Sequence, residues 1–265
     1  MIDRISDRYG RTGRIGTHFL FGRCWLVNQQ ESLRKAVGQQ LACQNCIQLK
    51  RDFGGGNGQA LGRRGPSLAV EQQIADPGRI YLVGLSNGGY MTYRMACERS
   101  DLFAAFATLS ATVPTTYRTS CKPSRAVPVL MINGTADMIV PFYGNSLPGV
   151  MSLYPVMYTA KLFAELDGCS NAAESAVPSH GSGGATSVTL IYWSNCRDRS
   201  AVVLFRVNNG GHQSPSIGPG RETPMASRML GMRNHDIDAA EEVWAFFRHY
   251  DLSTASGLQR GTSAQ

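Results

Sequence analysis

The passage that most constrains the fold runs from residue 76 to about residue 99. A turn signal, Asp76-Pro77-Gly78, leads into the apolar run Arg79-Ile80-Tyr81-Leu82-Val83, then into Gly84-Leu85-Ser86-Asn87-Gly88. A helical pattern follows at once over 87–99, with Met91, Met95 and Ala96 on one face. A buried strand that turns directly into a helix belongs to sheets whose parallel strands are joined by helices. The chain keeps that rhythm to its last helix. Apolar strand patterns fall at 104–110, 127–132, 188–193 and 202–207. A helix is predicted over 154–166, ending at Asp167-Gly168. Another is predicted over 238–250, opened by Asp238 and Glu241 as an acidic capping box. The fold class is therefore α/β with a mainly parallel sheet.

Residues 1–71 read differently. The stretch 24–37 suggests a short helix, 54–65 is glycine-rich and loop-like, and no strand stands out. The net charge of +7 lies wholly in this quarter: the first 70 residues hold 11 Lys and Arg against 4 Asp and Glu, and the rest is balanced. The body thus lacks the electrostatic footprint of a nucleic-acid binder, and a basic arm would be the only part with one. No apolar run reaches the roughly 20 residues of a membrane span. The first residues lack the apolar core of a secretory signal. The reading divides the chain into an irregular basic segment (1–71), a catalytic body (72–252) and a frayed tail (253–265). The change of texture near residue 72 leads to the expectation that the first segment is an out-of-frame or misassigned start.

The site candidates come from the turn at Ser86. A serine between strand and helix, with Gly84 and Gly88 relieving the steric conflict, projects its hydroxyl above the sheet edge. The helix start beneath it supplies partial positive charge, and the Asn87 N–H is placed to receive an oxyanion. A serine hydroxyl needs a base, and the base needs an orienting carboxylate. Asp137, in Asn133-Gly134-Thr135-Ala136-Asp137, and His212, in Asn208-Asn209-Gly210-Gly211-His212, each follow a later predicted strand. The other histidines have plainer roles. His18 lies in the irregular segment, His180 in a polar loop, and His249 near a helix end. His235, with Asp236, is expected to cap the last helix. Among the cysteines, Cys43 and Cys46 form a lone CxxC without the partners of a zinc site. Cys97 is expected to be a buried thiol. Cys169 and Cys196 flank a loop and strand and could bridge in an oxidising compartment.

These residues bear a wider resemblance. RIYLVGLSNGGYMTYRMACERSDLFAAFA, AVPVLMINGTADMIVPF, LDGC, GGH and DIDAAEEVWAFF, in that order over about 72–250, resemble the polyhydroxybutyrate depolymerase and feruloyl esterase-like family of α/β-hydrolases. The resemblance implies a secreted esterase without metal or organic cofactor, acting on hydroxyalkanoate polyesters or on feruloyl and acetyl esters of polysaccharides. It implies a triad of Ser86, Asp137 and His212 and a disulfide between Cys169 and Cys196. Two departures stand out. Gln213-Ser214-Pro215 replaces the family's Thr-Trp-Pro, and residues 1–70 contain no His-Gly strand to supply a second oxyanion donor. A peptidase or thioesterase on the same scaffold, or an inactive truncated body, are the alternatives.

Overall fold

The computed structural model describes residues 24–27, 47–49, 71, 76–146, 151–179, 184–217 and 224–252. The strands are β1 (Cys24–Val27), β2 (Ile47–Leu49), β3 (Tyr81–Leu85), β4 (Ala105–Leu109), β5 (Val129–Gly134), β6 (Asn171–Ala176), β7 (Ser187–Ser194) and β8 (Val202–Asn208). The helices are α1 (Asn87–Glu98), α2 (Tyr117–Ser120), α3 (Val156–Asp167), α4 (Pro224–Leu230) and α5 (Ala239–Phe247). Together the strands form one eight-stranded sheet in the order β2-β1-β3-β4-β5-β8-β7-β6. The central four, β3, β4, β5 and β8, are parallel, and antiparallel pairs extend both flanks. Because the central strands share one direction, their C-terminal ends form a single edge.

The core follows from the two-residue period of the strands. Leu82, Phe106, Met131 and Leu204 face one side, where they pack with Met91, Met95 and Tyr93 of α1 and Phe163 of α3. Their neighbours Val83, Ala107, Leu130 and Val203 face the other side, against Val243, Phe246 and Phe247 of α5. β3, β4 and β5 are covered on both faces, which is why their sequences are continuous apolar runs. Helix α3 stops at Gly168, whose left-handed backbone (φ 65°) lets its N–H reach back to the carbonyls of Ala164 and Glu165. Helix α5 starts at Asp238, whose carboxylate accepts from the Ala240 and Glu241 N–H groups.

Several expectations are corrected here. Cys24–Val27 is a strand, not the start of a helix, and it pairs antiparallel with β3 while β2 pairs outside it. Two strands of the basic segment thus join the sheet, where none had stood out. Cys97 is not a free thiol: it bridges Cys121, tying the end of α1 to the segment after α2. Its partner lies 24 residues on, with no pattern in the sequence to mark the pair. Cys169 and Cys196 form the second disulfide. β6, all of it exposed, is too small and polar a run (NAAESA) to be read as a strand; its pairing with β7 makes it one. The Cys43/Cys46 pair, His18, His180, the 54–65 loop and the tail from 253 lie outside the described residues.

Candidate active site

Ser86 occupies the tip between β3 and α1 in a backbone conformation that L-residues rarely adopt, φ 54° and ψ −118°. The turn holds it there. Its N–H donates to the Leu109 carbonyl at 2.8 Å, and its own carbonyl accepts from the N–H groups of Gly89 (2.8 Å) and Tyr90 (3.2 Å). A Cβ at Gly84 would stand 2.2 Å from the Gly88 carbonyl oxygen, so the strand and helix cross too closely for any side chain. Gly89, in the sequence only a flank of the serine motif, is equally constrained: a Cβ there would lie 2.4 Å from the Ala111 Cβ. The doubled glycine of Gly88-Gly89 was the available signal.

Asp137 and His212 meet. The Asp137 Oδ2 and His212 Nδ1 are 2.7 Å apart, with side chains 1% and 9% exposed. An ionised carboxylate can only accept, so Nδ1 carries the proton and Nε2 of a neutral imidazole is left as the basic nitrogen. The other carboxylate oxygen is fixed by the N–H groups of Ile139 and Val140, both at 2.8 Å.

The loops that carry these two residues are joined through their backbones. Thr135 N–H donates to the Val207 carbonyl and Ala136 N–H to the Gly210 carbonyl, each at 2.9 Å. A Cβ at Gly134 would meet the Gly210 oxygen at 2.2 Å. The far side of the histidine loop is held by the chain leaving α4: Gly211 N–H donates to the Met232 carbonyl and His212 N–H to that of Leu230. This clamp by residues 230–232 was not legible beforehand; the glycine after a helix, Gly231 (φ 77°), was its trace.

Ser86 stands on the same edge. Only β4 separates β3 from β5, a spacing of roughly 10 Å between strand axes. Among the described residues no hydrogen bond joins Ser86 Oγ to His212: the structure brings acid and imidazole together, and the serine stands at the tip of β3 on the same sheet edge. Tyr90, one helical turn beyond Ser86, marks the proximity of α1 to the acid loop. Burial pushes its phenol up to about 12, and the Asp137 carboxylate adds to the rise. The backbone N–H of Asn87 opens α1, whose first turn holds no acidic side chain to cancel its dipole.

His235 does not cap α5: its Nδ1 is 2.8 Å from the Ser216 carbonyl. Asp236 instead accepts from Ser179 Oγ and Asn234 Nδ2. At the departure after His212, Ser214 buries its Oγ without a hydrogen-bond partner, and Gln213 donates to the Gly231 carbonyl. Among the described residues no group of three or more His, Cys, Asp or Glu side chains is arranged to hold a metal, and no helix is long and apolar enough to cross a membrane.

A probable feruloyl esterase C from Aspergillus clavatus is 30% identical over 232 residues, covering 82% of this chain and 76% of that protein. The chain belongs to the feruloyl esterase-like family of α/β-hydrolases. Other relatives are matched over less of their length. A putative esterase, NocK, from Nocardia uniformis subsp. tsuyamanensis is 30% identical over 182 residues, 64% of this chain and 51% of its own. Feruloyl esterase B of Piromyces equi is 29% identical over 150 residues, 54% of this chain and 26% of its own. The chain thus spans about half the length of the first of these and about a quarter of the second. The sequence profile of the prolyl oligopeptidase family also matches this feruloyl esterase-like chain, over residues 65–122, which contain the serine turn.

Proposed function

We propose that the protein is a carboxylic ester hydrolase that works through an acyl-enzyme on Ser86. The observation that carries this reading is the buried 2.7 Å contact between Asp137 and His212, on the same sheet edge as a serine held in a strained turn. In this reading His212 Nε2 takes the proton of Ser86 Oγ as the oxygen attacks the ester carbonyl. Asp137 holds the imidazole in the Nδ1–H tautomer and stabilises the imidazolium. The Asn87 N–H, at the positive end of α1, stabilises the tetrahedral oxyanion. The imidazolium then protonates the leaving alcohol, and a water activated by the same nitrogen releases the acid.

The substrate class proposed is the feruloyl type, an aromatic acyl ester on a polysaccharide, with acetyl and hydroxyalkanoate esters as the competing acyl groups. Two relatives named feruloyl esterase support it. So do the apolar side chains beside the site. Met138 is 88% exposed and Ile139 50% exposed next to Asp137, and Met232, next to the His212 clamp, is 44% exposed. Apolar surface of this kind favours an acyl group with a large apolar body over acetyl. The two disulfides among the described residues support an oxidising, extracellular setting. A peptidase reading is favoured by one observation, the prolyl oligopeptidase match across the serine turn.

A substrate panel tests these together: p-nitrophenyl acetate, a methyl ferulate, an oligomeric hydroxybutyrate and a prolyl peptide anilide, each with wild type and Ser86→Ala. Ester turnover that vanishes in Ser86→Ala, with methyl ferulate preferred, is the expected result. Ester turnover retained by Ser86→Ala overturns the assigned nucleophile, and anilide cleavage in place of ester cleavage overturns the ester reading.

A further inference from the structure

At the other end of the sheet from Ser86, an open cleft of about 490 Å³ lies between α5 and the faces of β7 and β8. Its lining residues on β8, Phe205 and Val203, stand three and five residues from Asn208 at the active-site edge, roughly 10 and 17 Å. The cleft therefore belongs to a separate place in the fold. Its size falls within the range of small-molecule sites.

The lining is chemically divided. Phe205, Phe246, Tyr192 and Tyr250 give it an aromatic floor, with the Phe246 and Tyr250 rings 4.8 Å apart and tilted. Tyr250 is held in place by its carbonyl, which accepts from the Tyr81 hydroxyl at 2.9 Å. The cationic Arg199, the imidazole of His249 and, on α5, Glu242 complete the lining. Among the described residues Arg199 makes no ion pair and no side-chain hydrogen bond, and the Glu242 carboxyl makes none either. Both line one cleft, yet they do not reach each other. Arg199 is the second of two consecutive residues in left-handed conformation, Asp198 (φ 53°) and Arg199 (φ 55°), so the turn before β8 is built against local preference. Burial, together with the charges of Asp238 and Glu241, holds the Glu242 carboxyl above its usual range, as expected of a partly desolvated acid without a partner.

We propose that this cleft binds an aromatic carboxylate carrying a hydroxyl at its far end. The carboxylate meets the Arg199 guanidinium, which suits it through its planar fork of donors, with His249 beside it. The ring lies on the aromatic floor. The hydroxyl donates to Glu242, whose carboxylate accepts and would repel an anion placed there. From Glu242 to the end of α5 at Phe247 the helix rises roughly 7 Å, and His249 lies two residues further on, a span comparable to the length of a 4-hydroxyarylpropenoic acid. The proposal does not rest on the esterase reading, since none of these residues touches the Ser86 edge.

The test is a calorimetric titration of 4-hydroxycinnamate into the full chain, after treatment with phenylmethanesulfonyl fluoride to block the serine. Expected is one saturable site. Arg199→Gln should weaken it at least tenfold, and Ala245→Trp, which fills the cleft from α5, should abolish it. Both variants should hydrolyse p-nitrophenyl acetate like wild type. The methyl ester of the probe, which lacks the carboxylate, should bind at least tenfold more weakly. No saturable binding, or binding unchanged by both Arg199→Gln and Ala245→Trp, overturns the proposal. Failure of the esterase reading shows separately, as absence of a sulfonyl adduct on Ser86 by mass spectrometry.

Discussion

Replacing Asp167 by Asn should change how the stability of this protein depends on pH. Asp167 ends α3, and its side chain is fully buried. One carboxylate oxygen accepts from Val127 N–H at 2.8 Å and the other from Ser200 Oγ at 2.5 Å. Burial still dominates over these bonds and over the nearby Arg125 and Arg197, lifting the acid from the usual 3.8 to about 6. The sign follows from linkage. Well below pH 3.8 the group is protonated in both states and costs nothing. As pH rises, the unfolded chain ionises first and stability falls. Above pH 6 the folded protein bears the whole cost of a buried charge, about 3 kcal/mol at 1.36 kcal/mol per unit. The amide has the same shape and no charge: its oxygen accepts from Val127 N–H, and its nitrogen donates to a rotated Ser200 hydroxyl. The stability of Asp167→Asn minus that of wild type should therefore rise by about 2–3 kcal/mol between pH 3.5 and pH 7. Taking the difference removes other titrating groups and any packing error that does not vary with pH. Urea denaturation at the two pH values measures it. A difference that is flat, or that falls with pH, refutes the argument that burial outweighs the hydrogen bonds at this acid.

Three further outcomes are expected. Asp137→Asn should keep the fold and lower kcat on a p-nitrophenyl ester by about 10⁴, because the amide orients the wrong imidazole tautomer; a loss below tenfold would remove Asp137 from the proposed triad. Gly89→Ala should destabilise by about 1–3 kcal/mol through contact with Ala111, and Ala111→Gly in the same chain should restore stability, as read by thermal melting. The double variant Cys97→Ala/Cys121→Ala should lose about 3 kcal/mol, since the bridge closes a loop of some 25 residues in the unfolded chain; urea titration with and without a reductant checks it, and wild type under reduction should lose at least as much.

Where the sequence was informative, the signal was local. The turn at Ser86 could be read because a strand pattern, two glycines and a helix pattern lie within some twenty residues. Asp137 and His212 could be chosen over other acids and histidines because each follows an apolar run that ends in a glycine-bearing loop. Asp238 announced α5 in the same way, and it does accept the first N–H groups of that helix. The errors were all non-local. Cys24–Val27 is strand because β3 offers it a free edge, and a four-residue run carries too little periodicity to reveal that. β6 exists only through β7. Cys97 finds Cys121 because the turn after α2 returns to the end of α1, a matter of chain path.

The amino-acid order alone determines the period of each strand and helix, the close approach at Gly84, and the three chemical groups of the candidate site, since these depend on neighbours a few residues away. Only the tertiary structure decides that Asp137 and His212 touch, because that contact depends on β5 and β8 being adjacent and on residues 230–232 pressing the histidine loop home. It likewise decides that Arg199 and Glu242 share a cleft, and that Asp167 is an acid burdened by its own burial. Strand neighbours and solvent exclusion are properties of the packed chain, and both arise between residues that no local pattern connects.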